Sequence, residues 1–473
     1  MTTIVWFRND LRLSDHPALH AATQDEAIVP VFIWDPTQAD YHYGSASKWW
    51  LHHSLAALDA SLRDLGSKLI LRIGKPDVVL RDLVTETKAQ RVVWNRRYDP
   101  DGVSTDTSIK TDLQAHDIEV KSFNGNLLME PWELETKTGG PYKVFTPFWK
   151  NLISHPLMMA PLPGPSKLPP VHCTSVKLEE LALLPKRNWA DGFSEVWTPG
   201  HDAAKETLRH FAESPVEGYK DNRDLPAKPG TSRLSPRLRF GELSPRQIWH
   251  QVQHQHPNAL EGEGTEAYLR EIGWREFAYH LIYHFPQTLT APLRPQFERF
   301  PWRDAPDELK RWQRGMTGYP IVDAGMRELW HTGWMHNRVR MIVASFLVKN
   351  LLISWQEGAA WFFDTLLDGD LASNTLGWQW AGGCGADAAP YFRIFNPMTQ
   401  SEKFDKNGDY IRKWVPELAS LPNKWLHRPF EASSLELQMH GVKLGDTYPV
   451  PVGEHKAARE RALKAFDVVK GAA

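Results

Sequence analysis

Cysteine is nearly missing: Cys173 and Cys384 are the two in 473 residues. Two thiols exclude a disulfide framework and an iron–sulfur cluster held by cysteine alone, and they fit a reducing compartment. Net charge is nearly missing too, −2 from 55 basic and 57 acidic side chains. No global basicity advertises a nucleic-acid partner, although a local patch of Lys and Arg suffices for phosphate contacts. No apolar run has the length of a membrane span, and the first one ends against Arg8, Asp10 and Arg12, unlike a signal peptide. Glycine is missing from the first turn, Arg8-Asn9-Asp10-Leu11-Arg12. That removes the dinucleotide fingerprint and disfavours a nicotinamide oxidoreductase.

What is abundant is tryptophan, 21 residues, in a chain otherwise balanced like a globular protein, with 42% hydrophobic and 24% charged residues. Apolar cores prefer Leu, Ile, Val and Phe, and a buried indole needs a partner for its N–H. Core packing alone does not explain the surplus. A large aromatic ligand, a stacking surface or an electron path does. The chain is organised around residues 334–380, where Trp334, Trp355, Trp361, Trp378 and Trp380 frame Asp368 and Asp370, and Arg338 and Arg340 precede the apolar segment Met341–Leu352.

The length implies two or more domains. Short β-type apolar runs at Thr2–Phe7, Ala27–Trp34, Lys68–Ile73, Arg91–Trp94 and Ile118–Phe123 alternate with helical patterns at Ser47–Leu65, Asp77–Thr87 and Thr105–Ala115. Such alternation predicts an α/β N-terminal domain with a parallel, five-stranded, doubly wound sheet over residues 1–130. Residues 131–200 are proline-rich, from Pro156 to Pro185, and read as an irregular connector. Residues 201–473 carry helical periodicity, with expected helices at 203–213, 244–254, 264–283, 306–313, 319–331, 335–354, 357–367 and 455–469. This segment is expected to be an all-α domain.

Read from residues alone, the candidate motifs each keep a bland alternative. Gly230-Thr-Ser-Arg-Leu-Ser235 offers backbone N–H groups, hydroxyls and a cation before a helix start, either a phosphate cradle or a plain N-cap. Glu271, Trp274 and Arg275 share one face of a helix, either a binding wall or an amphipathic surface with an i,i+4 ion pair. Asp368 and Asp370 lack further carboxylates at ligand spacing, which disfavours a metal pair and suits a loop or cap. Trp302, Trp355 and Trp378 are equally compatible with core packing.

Together, FRNDLR near the N-terminus and WMHNRVRM, DGDLASN and GWQWAGGCGADAAPYFRIFNP in the second half resemble the DNA photolyase/cryptochrome family, in a match that reaches about Trp414. The resemblance implies FAD as cofactor and a C-terminal all-α FAD-binding domain. It places Tyr219, Thr231, Ser232, Arg233, Leu234 and Ser235 at the FAD pyrophosphate end, with Tyr268 and Arg275 also serving the cofactor. It places Arg340, Asp368, Asp370 and Asn374 about the flavin ring and ribityl chain, Arg340 pairing with one of the two aspartates. Trp378, Trp355 and Trp302 match an electron relay ordered from flavin to surface, with Trp312 and Trp361 nearby as detours. Trp274 and Trp380 match stacking walls for flipped pyrimidines, and Glu271 matches a base-edge contact. Arg223, Arg338, Arg393, Gln400 and Lys403 match DNA-facing positions.

The same resemblance separates substrate classes. Members acting on (6-4) photoproducts have two histidines where this chain has Asn337 and Met341. Neither side chain is a proton donor near neutral pH, and cyclobutane splitting needs no obligatory acid. The pattern therefore resembles cyclobutane pyrimidine dimer repair, with DNA as partner, a monomer as the expected state and the cytoplasm, on the nucleoid when DNA-bound, as the expected location. His336 is expected in a structural hydrogen bond. The absence of a long extension after Ala473 favours repair over signalling. A blue-light sensor of cryptochrome type and a (6-4) photolyase are the rivals. An antenna chromophore is expected near Asp99, with Trp34 and Asp35 at a neighbouring strand end. Methenyltetrahydrofolate is preferred for it, with a deazaflavin or no antenna as alternatives.

Overall fold

The computed structural model describes residues 1–157 and 160–470, apart from the side chains of residues 39 and 40. Residues 158–159 of the expected connector and 471–473 of the expected helical segment lie outside the described residues. The chain forms two compact units. One comprises Met1–Glu217, Ser232–Pro286 and Leu367–Ala372, and the other Gly218–Thr231, Gln287–Leu366 and Ser373–Ala473.

The first unit is built on five parallel strands, β1 (Thr2–Phe7), β2 (Ala27–Trp34), β3 (Ile70–Ile73), β4 (Arg91–Asn95) and β5 (Glu119–Phe123), in the order β3-β2-β1-β4-β5. The expected α/β class and all five strands are observed. β1 is apolar on both faces because both faces are covered. Ile4 and Trp6 point into one cluster with Val29, Val31, Leu80 and Leu113. Val5 and Phe7, on the opposite side of the pleat, are also fully buried. The helix expected over 105–115 begins earlier, at Pro100, because the Asp99 side chain accepts the Gly102 N–H at 2.9 Å and proline occupies the first helical position.

A buried polar knot joins distant segments of this unit. The Arg12 guanidinium donates to the carbonyls of Asp15 (2.7 Å), Gly241 (2.9 Å) and Gly125. Asp15 in turn accepts from Ser244 Oγ and from the Leu162 N–H, the latter at 3.0 Å. Gly241, at φ +61°, must be glycine: a Cβ there would run into Asn9 O and Asp10 Cα. Within the expected irregular connector the structure forms a helix, Phe145–Leu152, with Phe145, Phe148, Trp149 and Leu152 buried. It packs on the long helix Glu263–His284, where Gly273 leaves room for the Trp149 ring.

The second unit is helical. The helix expected over 335–354 is interrupted: an α-helix runs Asn337–Ser345, a π turn covers Phe346–Leu351, and Leu352 turns left-handed at φ +56°. Arg303 takes up the carbonyls released there, its guanidinium donating to Leu351 O at 2.9 Å and its N–H to Leu352 O at 2.8 Å. Buried Asp323 accepts from Thr317 N (2.6 Å), Gly318 N (3.0 Å) and the Tyr448 phenol (2.7 Å), tying the C-terminal segment to the core. Among the described residues no helix is long and apolar enough to cross a membrane.

Candidate active site

In the first unit the candidate residues gather along one helix and two loops. In the Gly230–Ser235 segment, Arg233 takes φ +53°, a conformation non-glycine residues rarely adopt, and its guanidinium lies 5.1 Å from the Trp197 ring. Leu234 is buried, and exposed Ser235 begins the helix Ser235–Arg239. Tyr268 is buried; desolvation pushes its phenol up, with Ser232 acting in the opposite direction. One face of the Glu263–His284 helix carries Arg275, which donates to Asn126 O at 2.8 Å and lies 3.3 Å from Glu276. Four residues on, the Tyr279 phenol donates to Asp370 Oδ2 at 2.6 Å. Burial, then the Asp370 charge, pushes Tyr279 upward, so it remains a donor. Arg239 fixes the same loop, its Nε donating to Gly369 O at 2.8 Å. Asp368 is buried and Glu271 half-buried. Tyr279 and Arg239 were not among the sequence candidates. Tyr279 follows Arg275 by one helical turn, a signal the periodicity carried.

Trp274 is half-buried and stacks face to face on Phe145, with centroids 3.7 Å apart and planes 7° apart. Phe277 meets Trp274 edge-on at 5.9 Å.

In the second unit the helix Asn337–Ser345 divides by face. Val339, Ile342 and Val343 are buried, while exposed Asn337 and half-buried Met341 share the outer side, one turn apart. His336 caps this helix, its Nδ1 accepting the Arg338 N–H at 3.2 Å, the structural hydrogen bond expected of it. Arg338 forms a two-point pair with Asp224, at 3.1 and 2.8 Å, and any phosphate contact it makes starts from that paired state. Arg340 donates to Met335 O at 2.7 Å and stands over Trp334. Arg223 lies over the ring of buried Tyr219, and Thr231 is half-buried. Arg393 and Lys403 are exposed; Gln400 and Trp380 are half-buried. The Asn374 amide nitrogen donates to Ala359 O at 2.9 Å.

Two of the three candidate relay tryptophans are buried and the third is not. Trp378 and Trp355 are each 2% exposed and Trp302 is half-buried. Gly358 is required beside Trp378, because a Cβ there would occupy the indole's six-membered ring. Trp312 meets Trp378 edge-on at 6.1 Å, whereas Trp361 stacks with exposed Trp330 at 6.1 Å.

A cavity of about 380 Å³ lies at the C-terminal ends of the strands in the first unit. Trp34 and Asp35 line it, as do Trp6, Lys75, Arg97 and Asp101. Asp99 does not line it. Its carboxylate is engaged by Arg97, at 2.6 and 3.0 Å, and by the helix cap. Arg97 also bonds His42 Nδ1 at 3.0 Å, and burial followed by the Arg97 charge lowers that imidazole to about 3.

Two family models match the chain: DNA photolyase over residues 3–166 and the FAD binding domain of DNA photolyase over residues 268–468. The chain is 51% identical to a deoxyribodipyrimidine photo-lyase of Agrobacterium fabrum, over 99% of this chain and 98% of that one. It is 40% identical to Cryptochrome-2 of Arabidopsis thaliana, over 98% of this chain and 78% of that protein. The crystal structure of a bacterial class III photolyase from Agrobacterium tumefaciens superimposes with a TM-score of 0.96 at 51% identity, covering 99% and 98% of the two chains. The chain belongs to the DNA photolyase family.

The donor set fits FAD. The Asp368 and Asp370 carboxylates suit ribityl hydroxyls and a ring N–H, and the Ser232 and Ser235 hydroxyls with Arg233 suit a pyrophosphate.

Glu276 yields a pH prediction. It is buried, accepts the Leu128 N–H at 2.8 Å, and burial outweighs Arg275 and that bond in raising its carboxyl to about 7. A raised carboxyl stabilises the fold fully below its unfolded value, 4.5, and loses that contribution as pH rises through about 7. Denaturant midpoints should therefore show the native protein losing stability relative to Glu276→Gln across that interval. A difference that stays flat contradicts the assignment.

Proposed function

We propose that this protein repairs cyclobutane pyrimidine dimers in DNA with light, as a deoxyribodipyrimidine photo-lyase. The observation that carries the reading is the outer face of the Asn337–Ser345 helix, where an amide and a thioether stand in place of proton donors. A (6-4) substrate needs an acid there, and a cyclobutane dimer does not. The name of the 51% identical relative points the same way. Reduced FAD, when bound, would supply on excitation the electron that opens the dimer and would take it back once the ring has split.

The chain's own residues do the rest. Trp274 and Trp380 stack on the extruded bases, Asn337 bonds a base edge with Glu271, and Met341 packs on the dimer. A damaged pair costs less to unstack, which supplies selectivity. Arg223, Arg338, Arg393, Gln400 and Lys403 hold the DNA backbone. Tyr219, Thr231, Ser232, Arg233, Leu234, Ser235, Tyr268, Arg275, Arg340, Asp368, Asp370 and Asn374 hold FAD. An amide at Asn374 has no titratable proton to offer the cofactor, which suits a fully reduced flavin. Trp378, Trp355 and Trp302 carry electrons inward when the cofactor is oxidised. In this reading residues 1–130 bind an antenna, 131–200 connect and 201–473 bind FAD and DNA. The protein acts as a monomer in the cytoplasm, on the nucleoid when bound.

The antenna occupies the cavity at the strand ends. Trp6 and Trp34 line it, with Lys75 and with Arg97, which is paired with Asp99. Aromatic rings beside cations suit methenyltetrahydrofolate, whose ring is flat and whose tail is anionic, better than a deazaflavin.

The deciding experiment irradiates reduced protein with an oligonucleotide carrying one cyclobutane thymine dimer, beside a dark control. Intact thymines should appear in the light alone; no repair by protein holding reduced FAD sinks the reading. Trp34→Ala should release the antenna's absorbance while repair under direct flavin excitation continues. Retention of that absorbance removes Trp34 from the cavity's function. Trp302→Phe should slow photoreduction, followed by flavin absorbance, and spare repair by chemically reduced protein. Photoreduction at the native rate excludes Trp302 from the relay.

A further inference from the structure

The Trp274–Phe145 pair is a close, nearly parallel ring stack. Here the planes lie 7° apart with centroids at 3.7 Å. The surrounding packing holds Phe145, one partner of the stack, in place. Phe145 is 1% exposed and opens the helix Phe145–Leu152, which lies against the Glu263–His284 helix. Phe148 of the same helix meets Phe277 at 5.1 Å and His280 at 5.2 Å. Gly273 lets Trp149 approach where any Cβ would collide with its ring, and the same Cβ position lies 3.6 Å from Phe145 Cζ. Arg270 stands 5.4 Å from the Phe145 ring. Phe145 is thus locked from several sides, whereas Trp274 is half-buried. Phe277 closes an edge of the indole and Phe145 closes one face.

We infer that Phe145 is a positioning residue for lesion recognition, acting through Trp274. It fixes the plane of the indole and leaves one face for one pyrimidine. An unbacked tryptophan has rotamer freedom to lose when a base stacks on it, and that loss subtracts from affinity. A ring already clamped stacks without it. The inference rests on the reading that Trp274 stacks on the lesion, and it brings a segment outside the candidate residues into the recognition wall.

The test is a double-mutant cycle on the full-length, FAD-loaded protein, with binding of a thymine-dimer oligonucleotide and of its undamaged counterpart as readouts. Phe145→Leu keeps apolar volume and removes the flat face. It should weaken dimer binding about threefold to tenfold, the range of one aromatic pair, with undamaged-DNA binding and flavin content unchanged. At saturating lesion, repair per absorbed photon should hold, so the loss is one of affinity. In a Trp274→Ala background, Phe145→Leu should weaken dimer binding no further. An equal loss in both backgrounds makes Phe145 merely structural and overturns the inference. So does an unchanged Phe145→Leu beside a weakened Trp274→Ala, and that outcome leaves the reading of Trp274 standing. Unchanged dimer binding in Trp274→Ala removes Trp274 from the pocket, and Phe145 with it. Phe145→Met carries the same cycle should the leucine variant not fold.

Discussion

A buried arginine holds the first unit's long-range architecture. Arg12 is fully buried, and its guanidinium spans carbonyls from three segments, at Asp15, Gly125 and Gly241. Burial lowers its pKa, with Asp15 and Asp10 acting in the opposite direction. A charge taken from water at that cost persists only where its hydrogen bonds are met, and five fixed N–H donors in a planar fork meet carbonyls from several directions as a lysine cannot. The Asp15 carboxylate then collects Ser244 and the Leu162 N–H, so chain segments more than a hundred residues apart share one polar centre. Gly241 allows the approach by having no side chain.

From that centre the chemistry is arranged along the Glu263–His284 helix. At intervals of about two turns and then one, it presents Tyr268, Arg275 and Tyr279, while Trp274 lies half-exposed against Phe145. Tyr279 delivers its proton to the hydrogen bond with Asp370, and Arg239 pins the neighbouring Gly369 carbonyl. The loop bearing both candidate aspartates is therefore held by the protein's own hydrogen bonds, which is what precise binding of a cofactor requires. In the second unit, Gly358 and the edge-on Trp312 fix the Trp378 indole in the same preorganised way.

Much of this was legible in the sequence where the physics is local. Strands buried on both faces, β1 and β2 among them, write themselves as short apolar runs, and the edge strand β5, exposed at Glu119 and Lys121, was readable too. The start of the Pro100–Ala115 helix was written as well, in Asp99 and Pro100, but its polar surface gives little periodicity and the expected start fell later. The break after Ser345 was not legible, because the apolar pattern continues through the π turn and the carbonyls it frees are met by Arg303, far away in sequence. The same reason hid the Phe145 contact: its segment carries proline punctuation and reads as a connector, and only the tertiary approach permitted by Gly273 makes it a wall. Asp99 illustrates the converse. Its identity and strand-end position pointed to a ligand, yet its oxygens are committed to Arg97 and a helix cap.

The arrangement of Arg97, His42 and Asp101 at the strand-end cavity has an optical corollary. His42 is the imidazole lining that cavity, and its titration is displaced to about 3. Across the range in which cells live it keeps one charge state, and the Arg97 guanidinium keeps another. Neither of these two side chains therefore alters the electric field inside the cavity over that range. A pigment seated there would meet no change of colour, and no change of spectral overlap with a second pigment, from the titration of either side chain.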